Sequence, residues 1–213
     1  MVNRVSLVVV CLCTVVLSAA ETPTRSLVRV RLAFNPLSSG LIDSIRVDAV
    51  EEAAHVWEPY GIAILNDTLA ERDPDSPHIS VVMDGARVRS SRRGALGSIQ
   101  FAADGTPDST IAIDYSAVVR LATTTSALGI DAHRWPVTLR EQIIARALGR
   151  ALAHEVGHYV LRSPHHTATG LMRATYRAAT LAMPERTDFT LTPPDLARLR
   201  IVMAAGLLGQ GVP

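Results

Sequence analysis

Two histidines and a glutamate between residues 154 and 158 have the spacing of a metal-binding site. The segment His154-Glu155-Val156-Gly157-His158 has the pattern H-E-x-x-H. Residues four apart lie one turn above each other on a helix, so the two imidazoles would project side by side at a separation that one Zn²⁺ can bridge. Glu155 would be turned about 100° from His154, which lets its carboxylate reach a water on the metal without binding the metal. The pattern therefore predicts a catalytic zinc site.

The residues that follow offer a third ligand. A catalytic zinc site uses three protein ligands and keeps a fourth position open for water. Ser163-Pro164 is expected to end the helix, and His165-His166 follows directly. The alternative is a pair of core histidines beside a solvated glutamate, but burying these groups without partners would be energetically costly. A metal ion removes that cost, so either His165 or His166 is expected to complete the site.

These residues resemble those of the metzincin metallopeptidases. The extended metzincin motif H-E-x-x-H-x-x-G-x-x-H is followed by a turn that carries a methionine beneath the metal, and Gly170-Leu171-Met172 is similar to that turn. The resemblance implies that His154 and His158 bind zinc and that Glu155 is the catalytic acid and base. It also implies that Met172 is the Met-turn residue.

The sequence departs from the metzincin pattern after the second histidine. The glycine and the third histidine of the pattern would stand at positions 161 and 164, where this chain has Leu161 and Pro164. The turn after the helix must therefore be one or two residues longer. His166 is followed by Thr167, which is similar to the His-Ser pair often found before a Met-turn, and it lies far enough past Pro164 for the chain to swing back. We favour His166 as the third ligand, with His165 as the alternative.

The elements that must position these residues can be read from hydropathy patterns. Alternating apolar and polar residues, or short apolar runs bounded by turn residues, predict strands. They are expected at 27–34, 61–65, 78–83, 95–101 and 111–115. Apolar residues every three or four positions predict helices. They are expected at 38–57, 138–161 and 193–208, with a loop-rich stretch before the last. This order predicts a layered α+β domain.

The metzincin resemblance makes the expected fold more specific. It implies a twisted, mostly parallel sheet of about five strands, a backing helix and a buried zinc helix in an upper part at about 27–160. A lower part at about 161–213 would hold one helix. An exposed sheet edge at 95–101 would bind an extended peptide, and residues 173–188 would wall the pocket. Tyr176 is expected in that wall.

The first twenty residues have the composition of a cleavable signal peptide. A short basic start precedes an apolar run at 5–17, and Ser18-Ala19-Ala20 suits cleavage before Glu21. An apolar run of about 13 residues is too short to span a bilayer. Both cysteines, Cys11 and Cys13, lie in this leader, so a mature chain of residues 21–213 has no disulfides, thiol catalysis or cysteine-bound metal. We expect a secreted, periplasmic or otherwise extracytoplasmic monomer, without stable membrane insertion after cleavage.

Composition also bears on function. The chain has 21 basic and 20 acidic residues, and loss of Arg4 with the leader would balance them, which argues against a nucleic-acid partner. The leading hypothesis is a secreted zinc-dependent endopeptidase that cleaves peptides or proteins through a zinc-activated water, with Glu155 as general base and acid. The alternatives are a zinc hydrolase acting on cell-wall or other non-protein amides, and a zinc-stabilised binding module without turnover.

Overall fold

The computed structural model describes residues 28–35, 43–66, 77–91, 94–127 and 130–208. The expected leader at 1–20, its cleavage site and the first residues of the helix expected at 38–57 lie outside these ranges.

Five strands and six helices make up most of the described chain. The strands of the main sheet are β1 (Val28–Phe34), β2 (Ile62–Asn66), β3 (His78–Val82), β4 (Gly97–Phe101) and β5 (Pro107–Ile113). A two-stranded hairpin follows, with β6 (Ser126–Ala127) and β7 (Ile130–Asp131). The helices are α1 (Asp43–Trp57), α2 (Gly85–Ser91), α3 (Tyr115–Ala122), α4 (Val137–Leu161), α5 (Ala178–Ala182) and α6 (Pro193–Ala204).

The main sheet is parallel except at one edge. Its strand order is β2-β1-β3-β5-β4, and only β4 runs antiparallel to its neighbour. The expected α+β class with a mostly parallel five-stranded sheet is therefore confirmed. The short turn at 102–106 joins β4 to β5. Because β5 pairs with β3 on its other side, β4 lies at the outer edge of the sheet.

The core lies between the sheet and the helices α1 and α4. The alternation in β1 buries Val30 and Leu32 completely while Arg29 stays exposed. The two helices approach closely because Gly149 has no side chain: a Cβ there would lie 2.5 Å from the carbonyl oxygen of Ala49. This close approach places the middle of α1 against the helix that carries the H-E-x-x-H residues. None of the described helices is both long and apolar enough to cross a membrane.

The structure corrects several expected boundaries. The last strand was expected at 111–115, but β5 ends at Ile113, and α3 begins at Tyr115 because the Asp114 carboxylate accepts a hydrogen bond from the Ala117 amide at 2.9 Å. Asp114 is thus a helix N-cap. Helix α2 occupies part of a stretch expected to be a loop. The lower part was expected to hold one helix, but α5 precedes α6; five residues are too few to show a helical period.

Candidate metal centre

Three imidazoles converge at the C-terminal half of α4. The ring centroids of His154, His158 and His166 are separated by 4.8, 4.9 and 5.2 Å, so they form a nearly equilateral triangle. One nitrogen from each ring can be chosen so that all three lie within 4.8 Å of one another. The Nε2 atoms of His154 and His158 are 3.2 Å apart, which is close to the roughly 3.3 Å expected between two nitrogens of a tetrahedral zinc site. This cluster could hold a metal ion.

Backbone carbonyls orient the two buried histidines. The Nδ1 atom of His154 donates a hydrogen bond to the Leu171 carbonyl at 2.7 Å, and that of His158 donates to the Ser163 carbonyl at 2.6 Å. A carbonyl can only accept, so the hydrogen sits on Nδ1 and the lone pair on Nε2 faces the cluster. Burial lowers the pKa of His154 to about 3 and that of His158 to about 4. Both imidazoles are therefore neutral at pH 7, as metal ligation requires.

The end of α4 brings the third histidine back to the helix. Arg162 has left-handed backbone angles, φ 47° and ψ 49°, and the Ser163 amide donates to the His158 carbonyl at 3.1 Å. This closing turn usually carries glycine. Here the Arg162 side chain donates to Thr106 Oγ1 at 3.1 Å, which ties the turn to the β4–β5 loop. The turn stands one residue later than the metzincin glycine would, in agreement with the longer connection expected before His166.

His165 does not join the cluster. Both His165 and His166 are exposed, but only His166 has a ring nitrogen among those of the two buried histidines in the described cluster. The backbone amide of His165 donates to Ser163 Oγ at 3.3 Å, which helps to fix the turn. The geometry therefore brings His166 to the two buried histidines, as the sequence favoured.

Met172 packs beneath the H-E-x-x-H segment. It is 1% exposed, and its sulfur occupies the space that a side chain at position 157 would need, so Gly157 is required for this contact. The preceding Gly170 has φ 75° and lies against the Thr190 carbonyl, where a Cβ would clash. The Thr167 amide donates to the Met172 carbonyl at 2.8 Å and closes the loop that carries His166.

Glu155 is a buried carboxylate beside the histidines. It is 5% exposed and makes no hydrogen bond or ion pair with any other side chain that the structure describes. Burial raises its pKa to about 8. A Cβ on Gly97 would lie 2.7 Å from Glu155 Cγ and 2.8 Å from Oε1, so the glycine at the start of β4 leaves room for the carboxylate. A glycine inside a strand often marks such a close approach, and this signal was present in the sequence.

A cleft of about 250 Å³ opens over the histidines. Residues 94–99 and Phe101, at the sheet edge, form one side, and residues 173–176 form the other. The helix α4 contributes Ala151 together with the cluster residues, and Leu121 and Leu181 also line the space. Leu181 lies within the stretch 173–188 that was expected to wall the pocket, whereas the contribution of Leu121 was not expected, because α3 was not predicted.

Tyr176 lies in the cleft wall, as expected, and also contacts the loop behind the histidine cluster. Its hydroxyl lies within hydrogen-bonding distance of the Gly170 and Leu171 carbonyls, and the latter also accepts the hydrogen bond from His154. Its ring stacks on Phe189, with 5.2 Å between centroids. Tyr176 therefore braces the carbonyl that orients one of the histidines.

A second buried polar cluster lies one turn before His154 on α4. Arg150 is fully buried; its Nε donates to the Glu52 carboxylate at 2.8 Å, and its terminal nitrogens donate to carbonyls in 180–185. Arg186 donates to the other oxygen of Glu52 at 2.6 Å. The Arg150 guanidinium also lies 4.4 Å from the centroid of the Phe189 ring. The sequence did not predict this cluster, although an arginine in a helix that was expected to be buried was a signal for it.

Comparison with known proteins adds no family to this description: no protein-family model matches the chain, and no curated protein matches it. What the site can do follows from its own geometry.

Proposed function

We propose that this chain is a zinc-dependent endopeptidase of the metzincin type. The observation that carries the proposal is the convergence of three imidazoles beside a buried carboxylate that no described side chain pairs with, at the floor of a cleft bordered by a sheet edge. The turn around Met172 beneath the H-E-x-x-H helix agrees with the same family.

The donor set suits zinc. Three imidazole nitrogens with space on the cleft side are a known ligand set for catalytic zinc, and among the described residues no thiolate or carboxylate belongs to the cluster. When bound, zinc would polarise the scissile carbonyl and make a neighbouring water more acidic.

Glu155 would move the proton. Its carboxylate is next to His154 in sequence and held between α4 and Gly97 of β4, so it lies beside the cluster but outside the set of ligand atoms. There it would accept a proton from the attacking water and pass it to the leaving amine. The carbonyls of Leu171 and Ser163 would keep two imidazoles in the required tautomer during this transfer.

The cleft favours an extended peptide as substrate. Among the described strands, β4 pairs on one side only, with β5, so backbone groups on its other side are open to the cleft. A peptide added along such an edge gains main-chain hydrogen bonds with modest side-chain selectivity.

Glu155 also argues against a purely structural metal site. A buried carboxylate without a cation raises the free energy of the folded state, as its raised pKa shows. A site that only stabilises the fold would gain nothing from it, whereas a hydrolase needs a base at this position.

Metal analysis together with peptide cleavage tests the proposal. The purified protein should contain about one zinc per chain and cleave members of a peptide library, and a chelator should abolish cleavage until zinc is restored. A protein that binds no zinc would refute the proposal. Cleavage confined to cell-wall amides would move the activity to the other class of hydrolase.

A further inference from the structure

Arg173 brings a positive charge into the cleft. It follows Met172 directly, is half-buried and lines the side of the cleft formed by 173–176. Its guanidinium carbon lies 5.4 Å from the centroid of the Tyr176 ring. Within the described part of the chain, this cation–π contact is the interaction that its guanidinium makes; no carboxylate lies within ion-pair distance.

Other arginines around the site use their guanidinium groups within the fold. Arg150 and Arg186 bind Glu52, Arg162 binds Thr106, and Arg198 donates to the carbonyls of residues 161 and 162. Among the described residues that line the cleft, Arg173 is the one arginine, and Glu155 the one carboxylate. The donors of Arg173 are thus left for a group that enters from outside.

The distance from Arg173 to the metal cluster is limited by Tyr176. The Tyr176 ring centroid is 6.2 Å from that of His154 and 5.4 Å from the Arg173 guanidinium carbon, so that carbon lies within about 12 Å of the His154 ring. An extended chain advances about 3.3 to 3.6 Å per residue. Arg173 is therefore within reach of substrate groups up to about three residues from the bond over the cluster.

We infer that Arg173 is a specificity-determining residue that binds a carboxylate of the substrate in this cleft. The inference rests on the proposed function and deepens it, because it names acidic peptides as the preferred substrate class. A guanidinium offers a planar set of donors that matches a carboxylate, and partial burial reduces competition from water. The carboxylate can come from an aspartate or glutamate side chain, or from the C-terminus of a short peptide.

Matched peptides measure this preference on the zinc-loaded full chain. One series places Glu or Gln at each position up to three residues on either side of the cleaved bond, with an amidated C-terminus. A second series compares the free C-terminal acid with the amide. We expect kcat/KM to be about tenfold higher for the acidic member of one series. The series that shows the preference identifies the source of the carboxylate.

Three variants assign the preference to Arg173. Arg173→Gln should bring the ratio of acidic to neutral kcat/KM close to one, and Arg173→Glu should favour a peptide with Lys at the same position. Arg177→Gln is the matched control, because Arg177 is exposed and does not line the cleft. That variant should keep the wild-type ratio. A ratio near one in the wild type, or a preference that survives Arg173→Gln, would overturn the inference even if peptides are cleaved.

Binding separates this inference from the proposed function. The affinities of the same peptides for zinc-loaded Glu155→Gln protein can be measured by calorimetry, with and without the additional change Arg173→Gln. About tenfold tighter binding of acidic peptides that depends on Arg173 would support the inference even if the wild type cleaves nothing, in which case the endopeptidase proposal alone fails. Equal affinity for acidic and neutral peptides, or no binding at all, would overturn the inference.

Discussion

Two buried carboxylates, one on α1 and one on α4, have opposite surroundings. Glu52, on α1, is 6% exposed and binds Arg150 and Arg186 through its two oxygens. Glu155, on α4, is 5% exposed and has no cationic partner in the described chain. Burial raises the pKa of Glu155 to about 8.

The difference lies in their partners. Glu52 is ion-paired and stabilises the fold, whereas the carboxylate of Glu155 is not used in an ion pair among the described residues. The Glu52 cluster fastens residues 180–186 to α1 and α4, because Arg150 donates to the backbone carbonyls of that segment. Glu155 is instead placed between the histidine cluster and Gly97, and no side chain of the described residues pairs with it there. Two residues of the same type therefore have different surroundings close to each other: Glu52 binds Arg150 of α4, and Glu155 lies about one turn further along that helix.

Removing the third histidine should have the largest effect. Under the proposed function, it removes a ligand of the zinc whose bound water Glu155 would deprotonate. His166→Ala is expected to weaken zinc binding by at least about 100-fold and to abolish turnover, since ligand loss exceeds the effect of losing an outer hydrogen bond. His165→Ala is the matched control, and zinc content and cleavage rate are measured in both. Loss of zinc in the His165 variant alone would move the ligand to His165, and loss in neither would refute a three-histidine site.

Neutralising Glu155 should remove activity without harming the fold. Glu155→Gln keeps the side-chain shape but cannot accept a proton, so kcat should fall by about 10² to 10⁴. Zinc content should stay near the wild-type value, and the free energy of unfolding should not decrease, because the amide replaces a buried group whose charged form is disfavoured by burial. Activity above a few per cent of wild type would show that Glu155 is not the general base.

Neutralising Glu52 should have the opposite result. Glu52→Gln leaves the buried Arg150 without its counter-charge, and breaking such a pair costs about 3–5 kcal/mol. The free energy of unfolding, measured by denaturant titration, should fall by this amount, while the folded variant still binds zinc. Its neighbour Glu51 is exposed, so Glu51→Gln should change stability by less than about 0.5 kcal/mol. Equal stability of the two variants would show that the ion pairs of Glu52 do not stabilise the fold.

The smallest effect is expected at Tyr176, which lies between the histidine cluster and the Arg150–Phe189 contact. Its ring stacks on the Phe189 ring that Arg150 covers, and its hydroxyl bonds the carbonyl that orients His154. Tyr176→Phe removes only the hydroxyl, so the free energy of unfolding should fall by about 1 kcal/mol and zinc should remain bound. A loss of activity beyond 100-fold with normal zinc content would instead give the phenol a direct part in catalysis.

The sequence predicted the parts of the site that lie close together along the chain. The pair His154 and His158 follows from helical periodicity, and the preference for His166 over His165 from the room that a chain needs to turn after Pro164. The sheet followed from strand patterns, but α3 did not, because the pattern at Tyr115 is typical of a strand until Asp114 is seen to cap a helix.

Every residue carries a backbone carbonyl, so side-chain patterns could not predict which carbonyls bind the histidines. The pairing of Glu52 with Arg150 could not be predicted either, since residues 98 apart meet only through tertiary packing.

The two clusters also differ in when they can form during folding. His154 and the Leu171 carbonyl are 17 residues apart in the chain, whereas Glu52 is 98 residues from Arg150 and 134 from Arg186. Closing a short loop costs less entropy than closing a long one. We therefore expect the histidine cluster to assemble locally, and the pairing of Glu52 with Arg150 and Arg186 to form only after the early and late parts of the chain have met. Under the proposed function, a newly made chain would thus be able to bind zinc before the Glu52 cluster fastens residues 180–186 to α1 and α4.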